Sequence, residues 1–549
     1  MTAVGAWTIG LALAYTVVLI AANSLVRRRA DRGEGFFVAS RSFGPWTVAF
    51  CITGLFSGSS YIAIMELSYR TGISAIWYGV AETVQVLLIA LLLVKPLRRR
   101  MVVTVTGMIG ERFGRIAQGI AGTITAVTFP MWSVATAIAF ASALHVFTGL
   151  TIELAIIATA LLLLLFLSAG GMRSVAVTQT ANFAVFVAML AVGVLAFVVD
   201  PGADALPRLA VERPEMFDLA AAGPTLIVAW FGTFIVNALL AQAAFQMALS
   251  CRTPAEGRRG MLYAAGLGVP FILIGVLLGV AAAIVVPAQE LPLAAVPAYI
   301  GETLPAPLAG VFFLGIWACA LGWAGPCQFS GATSLGRDVG RAVRPQATDA
   351  DLVRYTRWSL VLLTGLMIVF ALARAEESAW WNVLAWTLRN GATLAPVLAV
   401  LFWPLASRRA VYAAMLAGFA TGLSWYHYSG WSPATFLFGV HPVWAGMSVN
   451  LAVLVVVTLA GGSWRAVSSV RRRRLAAASV TAGVAAAGST ILLWGPLVAL
   501  GLAGLCVFVS TVLIAISAFL LTERAPALPI DDEIRAEDEH GRNELLTRA

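Results

Sequence analysis

One arginine, Arg389, stands inside an otherwise apolar run, in the stretch Trp386-Thr387-Leu388-Arg389-Asn390-Gly391. If that run crosses a bilayer, a charge at such depth costs about 2.5–3.5 kcal/mol on insertion scales, so it must face a cavity or a partner. Its planar guanidinium offers two parallel donors, the geometry that suits a carboxylate. A structural ion pair with Glu82 or Glu66 is the competing expectation. Glu82 follows Tyr78 by one helical turn and shares its face, and a carboxyl held there is a candidate proton carrier. Glu66 is nearer the end of its run, within reach of solvent and Arg70. The remaining candidates are hydroxyls and amides: Thr53, Ser57, Ser59 and Ser60 in Thr53-Gly54-Leu55-Phe56-Ser57-Gly58-Ser59-Ser60, then Asn237, Gln242 and Gln246, and Asn390 beside the arginine. Hydroxyls and amides in that number suit a small polar solute. Interhelical hydrogen bonding is the structural alternative.

These residues lie on elements that only a membrane would favour. The chain has 549 residues, 60% hydrophobic and 11% charged, against roughly 25% charged in soluble domains. Apolar runs fall at about 4–26, 44–66, 74–96, 114–148, 151–170, 174–199, 219–247, 262–286, 306–335, 356–375, 380–404, 410–427, 436–460, 475–493 and 496–521, which predicts fifteen helical spans. Read this way, all but five of the 36 Lys and Arg gather on one side. Only Arg70, Arg208, Arg213 and Arg374 fall on the other, with Arg389 inside a span. The positive side is cytoplasmic, so the N-terminus is expected outside and the C-terminus inside. The boundary at Trp494-Gly495-Pro496 is the one that could reverse this. The first run has no basic leader and no small-residue cleavage site, so it is read as a retained span.

Two spans carry helix-weakening residues: the second through its Gly and Ser cluster, and the seventh through Phe231-Gly232-Thr233 with Asn237 and Gln242. Gly frees the backbone and Ser competes for its hydrogen bonds. In lipid, such breaks are tolerated only where they line protein or a water-filled cavity. Two breaks five spans apart suggest an inverted repeat with a midplane site; close-packing small residues are the alternative.

At these residues the chain resembles the sodium/solute symporter family. Phe36-Phe37-Val38-Ala39-Ser40-Arg41-Ser42 resembles the family's aromatic-aromatic-x-Ala-Gly-Arg-Ser motif, with Ser40 for Gly. Gly170-Gly171 before Ala176-Val177-Thr178-Gln179-Thr180 resembles its Gly-Gly…Thr-Asp signature. Gln246 through Glu256 to Gly260, Cys327-Gln328 before Asp338, and Ala385-Trp386 before Pro396 resemble stretches of later core helices. The resemblance covers about 36–460. It implies an all-α polytopic membrane protein with a LeuT-type 5+5 inverted-repeat core and alternating access. The chain divides as an extra helix and basic loop at 1–43, a transport core at 44–404, two further family helices and a basic loop at 405–474, an added hairpin at 475–521 and an acidic tail at 522–549. The resemblance also places Tyr78 on an aromatic, and Glu82 on a polar residue, of the solute site.

The sodium site that the resemblance implies is degenerate. Its two adjacent hydroxyls fall on Gly322 and Trp323, or on Trp323 and Ala324. Its carboxylate is Gln179, and its polar residue of the first core helix falls near Leu55. A hard cation needs several oxygen ligands, so sodium coupling is not expected from these positions. A third role then opens for Arg389, as a fixed charge in place of the cation.

The five cysteines, Cys51, Cys251, Cys319, Cys327 and Cys506, lack metal-ligand spacing and read as small buried hydrophobes. His145, His427 and His441 sit at outer span ends, and the Trp and Tyr residues are expected mostly to flank spans. No nucleophile–base constellation points to an enzyme, no basic aromatic patch to nucleic acid, and no cofactor motif is present. The expectation is a secondary transporter of a small polar, anionic organic solute in a bacterial cytoplasmic membrane. Thr53, Ser57, Ser59, Ser60, Tyr78, Asn237, Gln242, Arg389 and Asn390 would form its site. Glu82 would be the coupling candidate, and the coupling ion, H+ or Na+, stays open. The alternative is a non-transporting membrane sensor of the same fold. Besides solute and lipid, the added hairpin offers a face for a protein partner or an oligomer.

Overall fold

The computed structural model describes residues 2–27, 34–99, 101, 103–167, 171–286, 289, 291–375, 378–462 and 464–524. Among the described residues, each of the fifteen predicted runs contains helix. The first is α1 (Ala3–Arg27). The second is α2 (Pro45–Phe56), a π-helical turn at Ser57–Tyr61, and α3 (Ile62–Thr71). The third begins with α4 (Ile76–Leu88). Then come α5 (Arg115–Thr148), α6 (Ile152–Leu167) and α7 (Met172–Val199). The seventh span is the pair α8 (Pro224–Asn237) and α9 (Gln242–Ala248). It is followed by α10 (Pro254–Val285), α11 (Ala306–Thr333), α12 (Asp349–Ala373) and α13 (Ser378–Phe402). The last four are α14 (Arg408–Tyr428), α15 (Pro442–Ala460), α16 (Val470–Leu492) and α17 (Ala503–Leu521).

By length and apolarity alone, eleven helices among the described residues can cross a membrane, or twelve with the bent pair α8–α9. That count takes 62–99 as one helix. The packing against α10 shows it to be two. Gly260 lies against Val48 and Gly279 against Ser68, whereas Gly79 meets Ile272 and Gly257 meets Val94. Residues 45–71 therefore run parallel to α10 and 76–99 run antiparallel. The chain reverses at Gly72, whose φ of +60° and contact with the Met216 backbone exclude a side chain.

The molecule has the polarity expected of a multi-pass membrane protein. Large apolar side chains such as Val17, Leu92, Leu165, Val198 and Leu362 point outward, while Arg389, Asn390, Gln246 and Asp338 are buried. Polar side chains tie the helices together. On α1, Tyr15 donates to Asn182 of α7 (2.8 Å), and Thr16 accepts from Trp317 of α11 (2.8 Å). Helices α13, α14 and α15 cross backbone to backbone at Gly391, Gly418 and Gly446, an approach that only small residues permit. Asn450 secures that crossing: its amide donates to the Ala392 and Ala414 carbonyls (3.0 and 2.8 Å), and its oxygen accepts from the Ala395 N–H (2.7 Å). Asn450→Leu removes three interhelical bonds and is expected to cost about 2–4 kcal/mol, measurable as a lower melting temperature in detergent. An unchanged melting temperature would show that the glycine crossing alone suffices.

The structure corrects two expectations. The second span does not unwind at its Gly and Ser cluster. It widens into one π-turn, as helices do at functional positions. The seventh span bends by 45°, but between Asn237 and Gln242 and not at Gly232, which lies within α8 against the ring of Trp444. The acidic tail expected from 522 begins with a strand. Thr522–Arg524 pairs antiparallel with Trp464–Ala466, so α16 and α17 form a hairpin returning to the side it left. The acidic segment expected after it lies outside the described residues.

Candidate functional site

Asn237 ends α8, and Arg389 faces it from α13. One arm of the Arg389 guanidinium, Nη2, donates to Asn237 Oδ1, and Asn237 Nδ2 donates to Gln85 Oε1 of α4 (3.1 Å). The guanidinium lies over the Trp132 ring, 4.2 Å from its centroid, and 5.8 Å from that of Phe129. Arg389 is buried and its Nε has no partner. Neither Glu82 nor Glu66 is among its contacts, so the expected ion pair is not formed. A cation–π contact and a neutral amide hold this charge where a carboxylate was expected.

The bend in the seventh span follows from how its ends are held. Ala238-Leu239-Leu240-Ala241 contains no helix breaker. Yet Asn237 on one side is bonded to α4 and α13, while Gln242 on the other donates to the Ser330 carbonyl (3.1 Å) and Ser334 Oγ (2.8 Å) of the α11 span. Ser330 Oγ also donates to Gln246. The two halves are drawn toward different neighbours, and the chain yields between them.

The candidates divide between two small cavities. Arg389 and Asn237 border the first, with Leu55, Phe56, Gln85, Trp132, Trp323 and Trp386; it admits roughly two waters at about 30 Å³. Thr53, Ser57, Tyr61, Glu82 and Thr83 border the second. There the hydroxyls of Thr53 and Tyr61 are buried without a partner among the described residues, while Ser57 donates to the Gly54 carbonyl (2.9 Å). Tyr78 packs edge-on to Trp230 and Phe234 and lies within 3.5 Å of the amide of Asn382. Asn390 points away from the first cavity and donates to the Thr233 carbonyl (3.2 Å). Gln242 serves the α9–α11 contact and borders neither cavity. Of Ser59 and Ser60 the backbone alone is described, and their side chains lie outside the described residues.

Several residues that border the site were not expected there from sequence. Gln85 lies seven residues after Tyr78 on α4, a helical spacing that would have signalled it. Trp132, Trp323 and Trp386 are deep in the bundle and not at its ends; Trp323 donates to the Trp132 carbonyl (2.6 Å) and Trp132 to that of Asn382 (3.1 Å). His441 stands at the end of its span as expected, as the N-cap of α15, and is buried there with Nδ1 accepting from the Val443 N–H (3.2 Å).

On the far side of α2, Gln179 Nε2 donates to the Gly322 carbonyl (2.7 Å), and Gln179 Oε1 accepts from Asn182 (3.2 Å). Gly54 presents its backbone to this amide, since a Cβ there would collide with it.

Residues 36–418 match the model of the sodium:solute symporter family. The uncharacterized symporter YidK of Escherichia coli (strain K12) is 27% identical over 312 residues, 52% of this chain and 54% of that protein. The chain thus spans about half the length of that curated relative. A solved structure of a Na+-coupled sialic acid symporter, substrate-bound and outward-open, superposes with a TM-score of 0.67 at 15% identity, over 83% of this chain and 98% of its own. That likeness establishes a LeuT-type fold. A sodium ion, implied by the family's description, can be tested against Gln179, Gly322, Trp323 and Ala324. None of the last three has a side-chain oxygen, the Gly322 carbonyl is taken by Gln179, and the Gln179 oxygen is taken by Asn182. These residues do not fit a sodium ion.

Proposed function

We propose, from the premise that this chain belongs to the sodium:solute symporter family, that it is a secondary transporter of a small polar, anionic organic solute by alternating access. The observation that carries the anionic reading is Arg389: a guanidinium buried at a cavity, supplied with an amide and an aromatic ring but no carboxylate. A buried charge without an opposite partner is expensive, and a solute carboxylate would complete it. Asn237 and Gln85 then orient the guanidinium, Asn390 supports the α8 backbone, and Trp386 walls the cavity with Tyr78 packed behind it.

Glu82 is the coupling group in this reading. Its cavity brings together the carboxyl and two hydroxyls that have no protein partner, Thr53 and Tyr61, and so suits waters that pass a proton. Thr53, Ser57, Ser59 and Ser60 form the π-turn side of the site, and the bend at 238–241 forms the other. Both are places where the bundle can hinge without unpairing a long stretch of helix. The charge asymmetry supports a bacterial cytoplasmic membrane with the N-terminus outside. The closed hairpin of α16 and α17 supports a cytoplasmic C-terminus and leaves an outward face for a protein partner or a second copy.

Purified protein in proteoliposomes tests this reading. Small organic acids supplied outside should accumulate under an inward proton gradient and exchange with unlabelled solute. Binding of an organic acid without any flux or exchange would instead identify a non-transporting receptor.

A further inference from the structure

The cluster at Gln179 does more than lack a sodium site. We propose that the Gln179 side-chain amide is a permanent brace standing where a bound alkali cation would join three helices, so that sodium contributes nothing to this protein's stability. The inference rests on family membership and on no particular solute.

The amide joins the helices by itself. Its N–H donates to Gly322 of α11 at 2.7 Å, and its own backbone belongs to α7. It packs directly on Gly54 of α2, where even one methyl group would overlap it. Gly322 is equally confined: a Cβ there would come within 2.8 Å of the Gly54 carbonyl and 3.1 Å of Gln179 Oε1. The three oxygens at this contact already accept hydrogen bonds: Gly322 O from Gln179, Gly54 O from Ser57 and Gln179 Oε1 from Asn182. Asn182 is fixed in turn by Tyr15 (2.8 Å), which brings α1 into the brace. A donor N–H pointed at a carbonyl supplies the positive end that a cation would supply, without removing an ion from water. In a bilayer such a bond has no competing solvent.

The test is thermal unfolding of the full chain in detergent, in NaCl, KCl and choline chloride at equal ionic strength. A ligand that binds only the folded state raises the melting temperature, so the brace predicts equal values for the wild type in all three salts, to within about 1 °C. Gln179→Ala and the milder Tyr15→Phe should each melt lower, the former by at least about 2 °C, by the same amount in every salt. A sodium-selective rise in the wild type would overturn the proposal, as would melting temperatures unchanged by both substitutions. Tyr15→Phe keeps the test decisive should Gln179→Ala fail to fold. No solute or flux enters the measurement, so failure of the transport reading leaves its outcome interpretable.

Discussion

Arg389→Gln should weaken solute binding by about 10- to 100-fold, the scale of lost hydrogen bonds to a charged group at 1.5–3 kcal/mol, while thermal stability of the solute-free protein holds or rises. The two halves of this expectation separate the rival roles. A structural ion pair, once broken, leaves its partner charge buried, at a cost of about 3–5 kcal/mol. Arg389 has no carboxylate among its contacts with the described residues, so its removal strands only the neutral Asn237 Oδ1 and no buried charge. Arg389→Lys should give an intermediate loss, because it keeps the charge but not the planar fork or its stacking on Trp132. Isothermal titration with any solute that the wild type binds, together with a melting curve, reads both halves. A variant that binds normally and unfolds early would return Arg389 to a structural role.

Glu82→Gln should abolish uphill accumulation while leaving solute exchange in place. The carboxyl borders a cavity beside the unpartnered hydroxyls of Thr53 and Tyr61, and glutamine keeps its size while removing its capacity to carry a proton. In proteoliposomes the variant should exchange labelled for unlabelled solute at a rate near that of the wild type. It should show no response to an imposed proton gradient. Loss of exchange together with accumulation would mean that Glu82 contacts the solute. Accumulation at the wild-type level would remove it from coupling.

The helices were legible because hydropathy and charge both report the membrane, and a basic loop follows nearly every second span. Arg389 was legible for the same reason, as a charge where none is tolerated without cause. Its partner was not: Asn237 is 152 positions away, and nothing local marks which of several amides the fold brings to it. The expected pairing with a glutamate follows charge alone and misses that the Trp132 face can hold a guanidinium. The bend at 238–241 was illegible because it arises from tertiary pulls on Asn237 and Gln242, whereas the glycine that suggested it, Gly232, serves to admit Trp444. The Ser-rich cluster of the second span signals a weakened helix but not a π-turn, since the choice between unwinding and widening depends on the packing of Gly58 against Trp323 and Cys319. Gln179 was noted only as an absent carboxylate. What it bonds to instead required coordinates.

The most direct measurement is a thermal-shift comparison of small organic carboxylates with their neutral amides, on the wild type and on Arg389→Gln. At least one carboxylate should stabilise the wild type while its amide does not, and Arg389→Gln should need about 10- to 100-fold more of that carboxylate for the same shift. Equal stabilisation by acid and amide, or an undiminished response in Arg389→Gln, would contradict this.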